Sequence, residues 1–154
     1  MGGIATAGIN VKEAAQRKKA PEFELKDIEG NTVRLSDSAG KVVLIAFWAT
    51  WCGPCRAETP WLIELSERYR SEGLVVLGIS MDEEWGPIKA FVRKMGVTYP
   101  ILKGTARATY LYGDVDSLPV AFFVDRQQKV AAIHSGAANR KQFEQTIKTL
   151  LAAE

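Results

Sequence analysis

The chain has 154 residues, of which 47% are hydrophobic, so it is one domain's length with enough apolar material for a core. Its 20 Lys and Arg stand against 18 Asp and Glu, a net charge of +2. That balance argues against a disordered polyelectrolyte and gives no support for nucleic-acid binding, which takes a concentrated basic face. No stretch reaches the ~20 apolar residues of a membrane span, and two cysteines are too few for a disulfide-built secreted scaffold.

Residues 1–20 read as a poorly packed lead-in. They open small and polar with no intact signal peptide, then run into the charged, helix-permissive stretch Lys12-Glu13-Ala14-Ala15-Gln16-Arg17-Lys18-Lys19. A Met-Gly-Gly start fits a native beginning, and equally one left after a leader is replaced. The globular pattern begins at Pro21 and runs to residue 154. Phe23 and Leu25 alternate with polar neighbours, as do Val33 and Leu35, across the turn signal Glu29-Gly30-Asn31, which predicts a β-hairpin. The unbroken apolar run 42–48 predicts a central strand covered on both faces. A helix follows, with Leu62, Leu65 and Tyr69 on one stripe and Gly73 at its end. Residues 74–79 predict a second buried strand. Next comes a helix with Pro87 in its first turn, Ile88, Phe91, Val92 and Met95 on its apolar face, and Gly96 at its stop. This β-α-β-α order implies right-handed crossovers. Residues 98–102 are short and extended, and 105–112 suit a short helix ending at Gly113. Residues 120–124 and 130–134 predict a second hairpin, and a last helix opens on Asn139 and Gln142 with Phe143, Ile147 and Leu150 inward.

The chemistry lies in Trp48-Ala49-Thr50-Trp51-Cys52-Gly53-Pro54-Cys55, where the central strand passes into a helix. Open α/β sheets carry their sites at the carboxyl ends of strands. Cysteines three apart at a helix start are spaced for a disulfide, and unpaired N–H groups and the helix dipole favour a thiolate on Cys52. Cys55 begins the stripe that continues through Glu58, Leu62, Leu65 and Tyr69, so it lies deeper than Cys52. Cys52 is therefore the expected attacking thiol and Cys55 the resolving one. A carboxylate on that stripe is partly desolvated, which raises its pKa. Glu58 then reads either as proton carrier for Cys55 or as a carboxylate turned to solvent or paired with Arg56 or Lys41.

The segment Trp51-Cys52-Gly53-Pro54-Cys55 is the active-site motif of thioredoxins. The longer stretch from Phe47 to Pro60 resembles the TlpA/ResA/CcmG branch of bacterial thiol-disulfide oxidoreductases, and the likeness extends over roughly residues 20–152. It implies a thioredoxin-like α/β fold: a central mixed sheet flanked by helices, an N-terminal hairpin, and an inserted helical segment before the cis-proline strand. It further implies that Pro119 is cis after Leu118, that Glu58 is the active-site glutamate, and that Trp51, Gly53, Pro54, Leu118 and Pro119 meet the substrate. No bound cofactor is expected, because the dithiol carries the electrons. Partners are protein disulfide clients, an apocytochrome c among them, and an upstream dithiol electron donor. The chain is expected to be a monomer with no nucleic acid and no membrane span of its own. Its place is the periplasm or extracytoplasmic face of a bacterial membrane if a leader has been removed, and the cytoplasm otherwise.

Three departures from the pattern stand out. Ala46 occupies the position where thioredoxins themselves carry a buried Asp, Val120 follows the proline where Thr is common, and Gln128 sits in a hairpin turn where Gly is usual. Two rival readings use the same cysteines, a zinc or copper site and a peroxidase. A copper-assembly protein of thioredoxin-like fold needs a wider cysteine spacing and a distant His, and the single histidine, His134, falls in a predicted strand. Structural zinc takes four ligands where only three soft ones exist. A peroxiredoxin-like peroxidase calls for Thr three residues before its cysteine, where Ala49 stands. Asp82-Glu83-Glu84 reads as an acidic start to the second helix, and Trp85 beside it as an isolated surface aromatic or a partner contact.

Overall fold

The computed structural model describes residues 8–153. Along them run β1 (Lys18–Lys19), β2 (Glu24–Lys26), β3 (Thr32–Arg34), β4 (Val42–Trp48), α1 (Gly53–Tyr69), β5 (Leu74–Ser80) and α2 (Trp85–Met95). Then follow β6 (Ile101–Lys103), α3 (Ala106–Leu111), β7 (Val120–Val124), β8 (Lys129–Ser135) and α4 (Arg140–Ala152). Six strands form one sheet in the order β1-β8-β7-β4-β5-β6, and β2 with β3 forms a separate hairpin. β4 is parallel to β5 and antiparallel to β7, so the sheet is mixed, as expected.

All seven residues of β4 are buried, which is why its apolar run is unbroken rather than alternating. Val42, Leu44, Ala46 and Trp48 face α1, α2 and α4; Val43, Ile45 and Phe47 face the hairpin and α3. α1 lies against the first face through Cys55, Leu62, Leu65 and Tyr69. Pro60 sits inside α1 and so withholds the N–H that would have bonded the Arg56 carbonyl. A short 3-10 turn, Arg70–Glu72, ends at Gly73 in the left-handed region (φ 109°), and β5 begins at once. α2 ends on Gly96, also left-handed. The Asn139 side chain accepts from the Gln142 N–H and caps α4.

Residues 1–20 were expected to be a loose lead-in. Met1 to Ala7 lie outside the described residues, but from Ile9 onward the segment is built into the domain. Ile9 and Val11 pack against the core cluster, Lys12 N–H donates to the Ala131 carbonyl at 2.8 Å, and β1 adds an antiparallel edge strand to β8. Two apolar side chains and a buried Ala20 thus help attach a stretch whose charges gather between Lys12 and Lys19. The segment is also tied electrostatically, through a 2.9 Å ion pair between Arg17 and the buried Asp125.

Gln128, the unusual turn residue, holds the left-handed φ of 64° that glycine would adopt freely. Its side-chain amide donates to the Leu35 carbonyl at 2.8 Å, which offsets part of the conformational cost.

Removing Arg17 tests the attachment of the N-terminal segment. Arg17→Ala removes the charged partner of Asp125 while the backbone N–H groups of Gln127 and Lys129 still donate to it, and is expected to cost about 1–3 kcal/mol. Urea unfolding reads the change; an unaltered midpoint would show that the ion pair adds nothing to the attachment.

Candidate active site

Cys52 is the N-cap of α1, and its sulfur accepts the Cys55 N–H at 3.3 Å. A disulfide joins the two cysteines, whose Cα atoms are 5.3 Å apart. Cys52 retains 6% exposure and Cys55 1%, the expected order of depth. Gly53 and Pro54 fill the first turn, where a missing N–H costs nothing, and both are exposed. Trp51 stands out of the loop at 67% exposure, the most open large apolar side chain beside the cysteines.

The peptide bond between Leu118 and Pro119 is cis. The register that pairs Phe47 with Val120 carries Pro119 to the carboxyl end of β4, the edge from which residues 49–52 emerge. Pro119 is buried and Leu118 half-buried against both faces of the core. The Pro119 carbonyl accepts from Gly136 N–H at 2.8 Å.

Glu58 is 5% exposed, on the same stripe as Cys55 and one turn on. Neither solvent nor Arg56 nor Lys41 takes its charge. Arg56 donates instead to the Thr50 carbonyl, and Glu58 Oε2 has no hydrogen-bond partner among the described residues. Burial alone pushes its pKa from an ordinary 4.5 up to about 7. The Tyr99 hydroxyl lies against Glu58 and Thr59, and burial followed by the Glu58 charge drives its pKa upward too. Behind them the sheet is opened by small residues, with Ala46 paired to Gly78 across β4 and β5. A Cβ on Gly78 would come within 2.8 Å of Ile101 Cδ1, 3.1 Å of Trp48 Nε1 and 3.2 Å of Tyr99 Cε1. Aromatic side chains thus fill the space that the two small residues leave. The Trp48 indole N–H there is another buried polar atom with no partner among the described residues.

Asp82 is not an exposed helix-start charge. It is buried, and its carboxylate accepts the Thr50 N–H at 2.9 Å, the Thr50 hydroxyl at 2.6 Å and the Ser80 hydroxyl at 2.7 Å. The motif-centred reading of the sequence missed this group; the available signal was a Ser-x-Asp directly ending an apolar strand.

His134 pairs with Ala121 in the sheet, stacks edge-on against Phe143 and contacts the Ala137 carbonyl at 3.1 Å. Among the described residues no three His, Cys, Asp or Glu side chains cluster around a common point.

A model described as the AhpC/TSA family matches residues 17–133, more than half the sequence. The chain belongs to the AhpC/TSA family. Thiol-disulfide oxidoreductase ResA of Geobacillus thermodenitrificans is 34% identical over 132 residues, which cover 85% of this chain and 75% of that protein. ResA of Bacillus subtilis is 32% identical over 117 residues, 76% and 65% of the two chains. A Chlorobium tepidum structure described as a thiol:disulfide interchange protein DsbE superposes with a TM-score of 0.83 at 33% identity, covering 88% of this chain and 97% of that one. A secreted thiol-disulfide isomerase of Corynebacterium glutamicum shares the fold at TM-score 0.85 and 24% identity, with 99% and 97% covered. The protein is a thioredoxin-like thiol-disulfide oxidoreductase of the ResA-like kind, with Cys52 and Cys55 as its CXXC pair. The peroxidase reading finds no hydroxyl at Ala49, and the neighbouring Thr50 hydroxyl is committed to Asp82.

Burying Glu58 has a signed consequence for stability. Its folded pKa of about 7 exceeds the ordinary 4.5, so between those values the native state binds more protons than the unfolded chain. Stability then falls as pH rises through that window, by about 3 kcal/mol in full. Glu58→Gln is expected to remove the slope, matching wild type at pH 4 and exceeding it by about 3 kcal/mol at pH 8. Guanidinium unfolding of the oxidised protein at both pH values measures this; parallel losses at the two would show a solvated carboxylate.

Proposed function

We propose that the protein is a reductase of protein disulfides whose cycle needs no bound cofactor, with Cys52 as nucleophile, Cys55 as resolving thiol and Glu58 as proton carrier. The observation that carries this reading is a carboxyl group, buried and unpaired, one helical turn from the deeper sulfur of a disulfide at a helix start.

The chemistry balances in two steps. The Cys52 thiolate attacks a client disulfide, forms a mixed disulfide and expels one client thiol. The Cys55 thiol gives its proton to Glu58 and attacks Cys52, restoring the Cys52–Cys55 bond and releasing the second client thiol. A carboxyl with a pKa of about 7 can both accept and return a proton near neutral pH. Two electrons leave with the client, and an upstream dithiol donor replaces them. The reductive direction is supported by the Gly-Pro between the cysteines, which resembles that of reducing thioredoxins near −270 mV.

Trp51, Gly53 and Pro54 form the exposed approach to the sulfurs, with Leu118 and Pro119 beside them at the sheet edge. We assign these residues to client docking. Leu118 makes no backbone hydrogen bond among the described residues, so its peptide groups are available to an extended segment of client. The resemblance to the TlpA/ResA/CcmG branch supports a monomer working outside the cytoplasm on clients such as an apocytochrome c. No helix among the described residues is long and apolar enough to cross a membrane.

Trapping tests the roles. Cys55→Ser is expected to accumulate a mixed disulfide through Cys52 in the native cell, identifiable by mass spectrometry, whereas Cys52→Ser should trap nothing. Adducts through Cys55 in the Cys52→Ser protein would reverse the assignment.

Glu58→Gln is nearly isosteric and is expected to slow resolution of the mixed disulfide by about tenfold or more near pH 7. Stopped-flow fluorescence follows the step. A rate–pH profile identical to wild type would make water, not Glu58, the proton acceptor.

A further inference from the structure

The stretch from Trp48 to Cys52 is anchored at every residue but one. The Trp48 carbonyl accepts from Met81 N–H at 2.8 Å, and the Ala49 carbonyl accepts from Cys52 N–H at 3.2 Å. Thr50 is held three ways, with its N–H and hydroxyl donated to the two oxygens of Asp82 and its carbonyl accepting from Arg56 at 3.1 Å. Only Trp51 projects freely. Asp82 is itself fixed, since Ser80 donates to its carboxylate and its own N–H donates back to the Ser80 hydroxyl at 3.0 Å. The continuation of β5 is therefore a brace for the loop that carries the attacking cysteine.

None of these bonds involves a sulfur, so opening the disulfide removes none of them. We propose that Asp82 is a positioning residue for the dithiol: by clamping Thr50 it keeps Cys52 opposite Cys55 in the reduced protein, which favours reclosure and makes the pair a stronger electron donor. Two thiols already held in bonding geometry lose less freedom when they join, so their effective concentration is high. A loop released at Thr50 loses that advantage, and the reduced state gains population relative to the disulfide.

The proposal rests on the dithiol reading above, and the test separates the two. Dithiothreitol reduction breaks the Cys52–Cys55 bond, delivers two electrons and two protons to its sulfurs, and forms the disulfide of oxidised dithiothreitol. The equilibrium constant is measured in dithiothreitol buffers by alkylation and mass spectrometry. Thr50→Val, which keeps volume but loses the hydroxyl donor, is expected to shift the constant toward the reduced protein by about fivefold. Asp82→Ala is expected to shift it by about tenfold, equivalent to about 30 mV for a two-electron couple. Thr50→Ser, which keeps the hydroxyl donor, should return it to within about twofold of wild type. In the double variant the two effects should fall well short of additive, because both act through one contact.

A Thr50→Val constant indistinguishable from wild type overturns the clamp. So do fully additive effects, which would mean that the Asp82 charge acts on the cysteines without Thr50. Should Asp82→Ala fail to fold, the contrast between Thr50→Val and Thr50→Ser still decides. A wild-type disulfide that dithiothreitol cannot reduce overturns the dithiol reading and the clamp together, whereas a cycling wild type with an indifferent Thr50→Val overturns the clamp alone.

Discussion

The site depends first on the burial of β4 along its whole length. A strand covered on both faces cannot shift register by one residue without moving apolar side chains from one packed layer into the other. That fixes where Trp48 ends, and so where the four residues before α1 begin. The cysteines need only sit at the N-terminus of that helix for one sulfur to be near the surface and the next to face the core. The cis peptide at Leu118-Pro119 arrives at the same edge because β7 is locked antiparallel to β4. Strand packing thus brings the cysteines and the cis-proline to one edge, and the contacts among residues 48–55 set the finer geometry there.

Two buried acidic residues on either side of the loop are treated in opposite ways. Asp82 has donors on both oxygens and is thereby a structural fixture. Glu58 is buried beside Tyr99, and its Oε2 has no partner among the described residues. Donors on both oxygens hold a carboxylate in one place, whereas burial without a partner raises the pKa of Glu58. The difference is visible only when the partners of each are counted.

Much of the layout was legible from residue order. The apolar run of β4, the stripe from Cys55 to Tyr69 and the left-handed stops at Gly73 and Gly96 rest on short-range periodicity and steric rules, which operate within a few residues. The depth order of the cysteines and the burial of Glu58 follow from the same stripe. The resemblance to a known family supplied the cis bond, which no local pattern reveals. What escaped were contacts between distant segments. Asp82 read as a helix-start charge because its partner, Thr50, lies 32 residues away. Residues 9–19 read as loose because the charges between Lys12 and Lys19 hid a few apolar and ionic anchors, whose partners are on β8, α4 and the β7–β8 turn. Gln128 was noticed as an oddity, and only the structure shows the carbonyl its side chain reaches.

The close fit around Gly78 constrains how this sequence can drift. Ile101, Trp48 and Tyr99 already occupy the volume a methyl group would enter, so a side chain at 78 fits only if these neighbours shift. The Cδ1 end of Ile101 can yield, whereas a shift of the Tyr99 ring moves the group that lies beside Glu58. Packing at the back of the active site and the surroundings of its proton carrier are therefore inherited together.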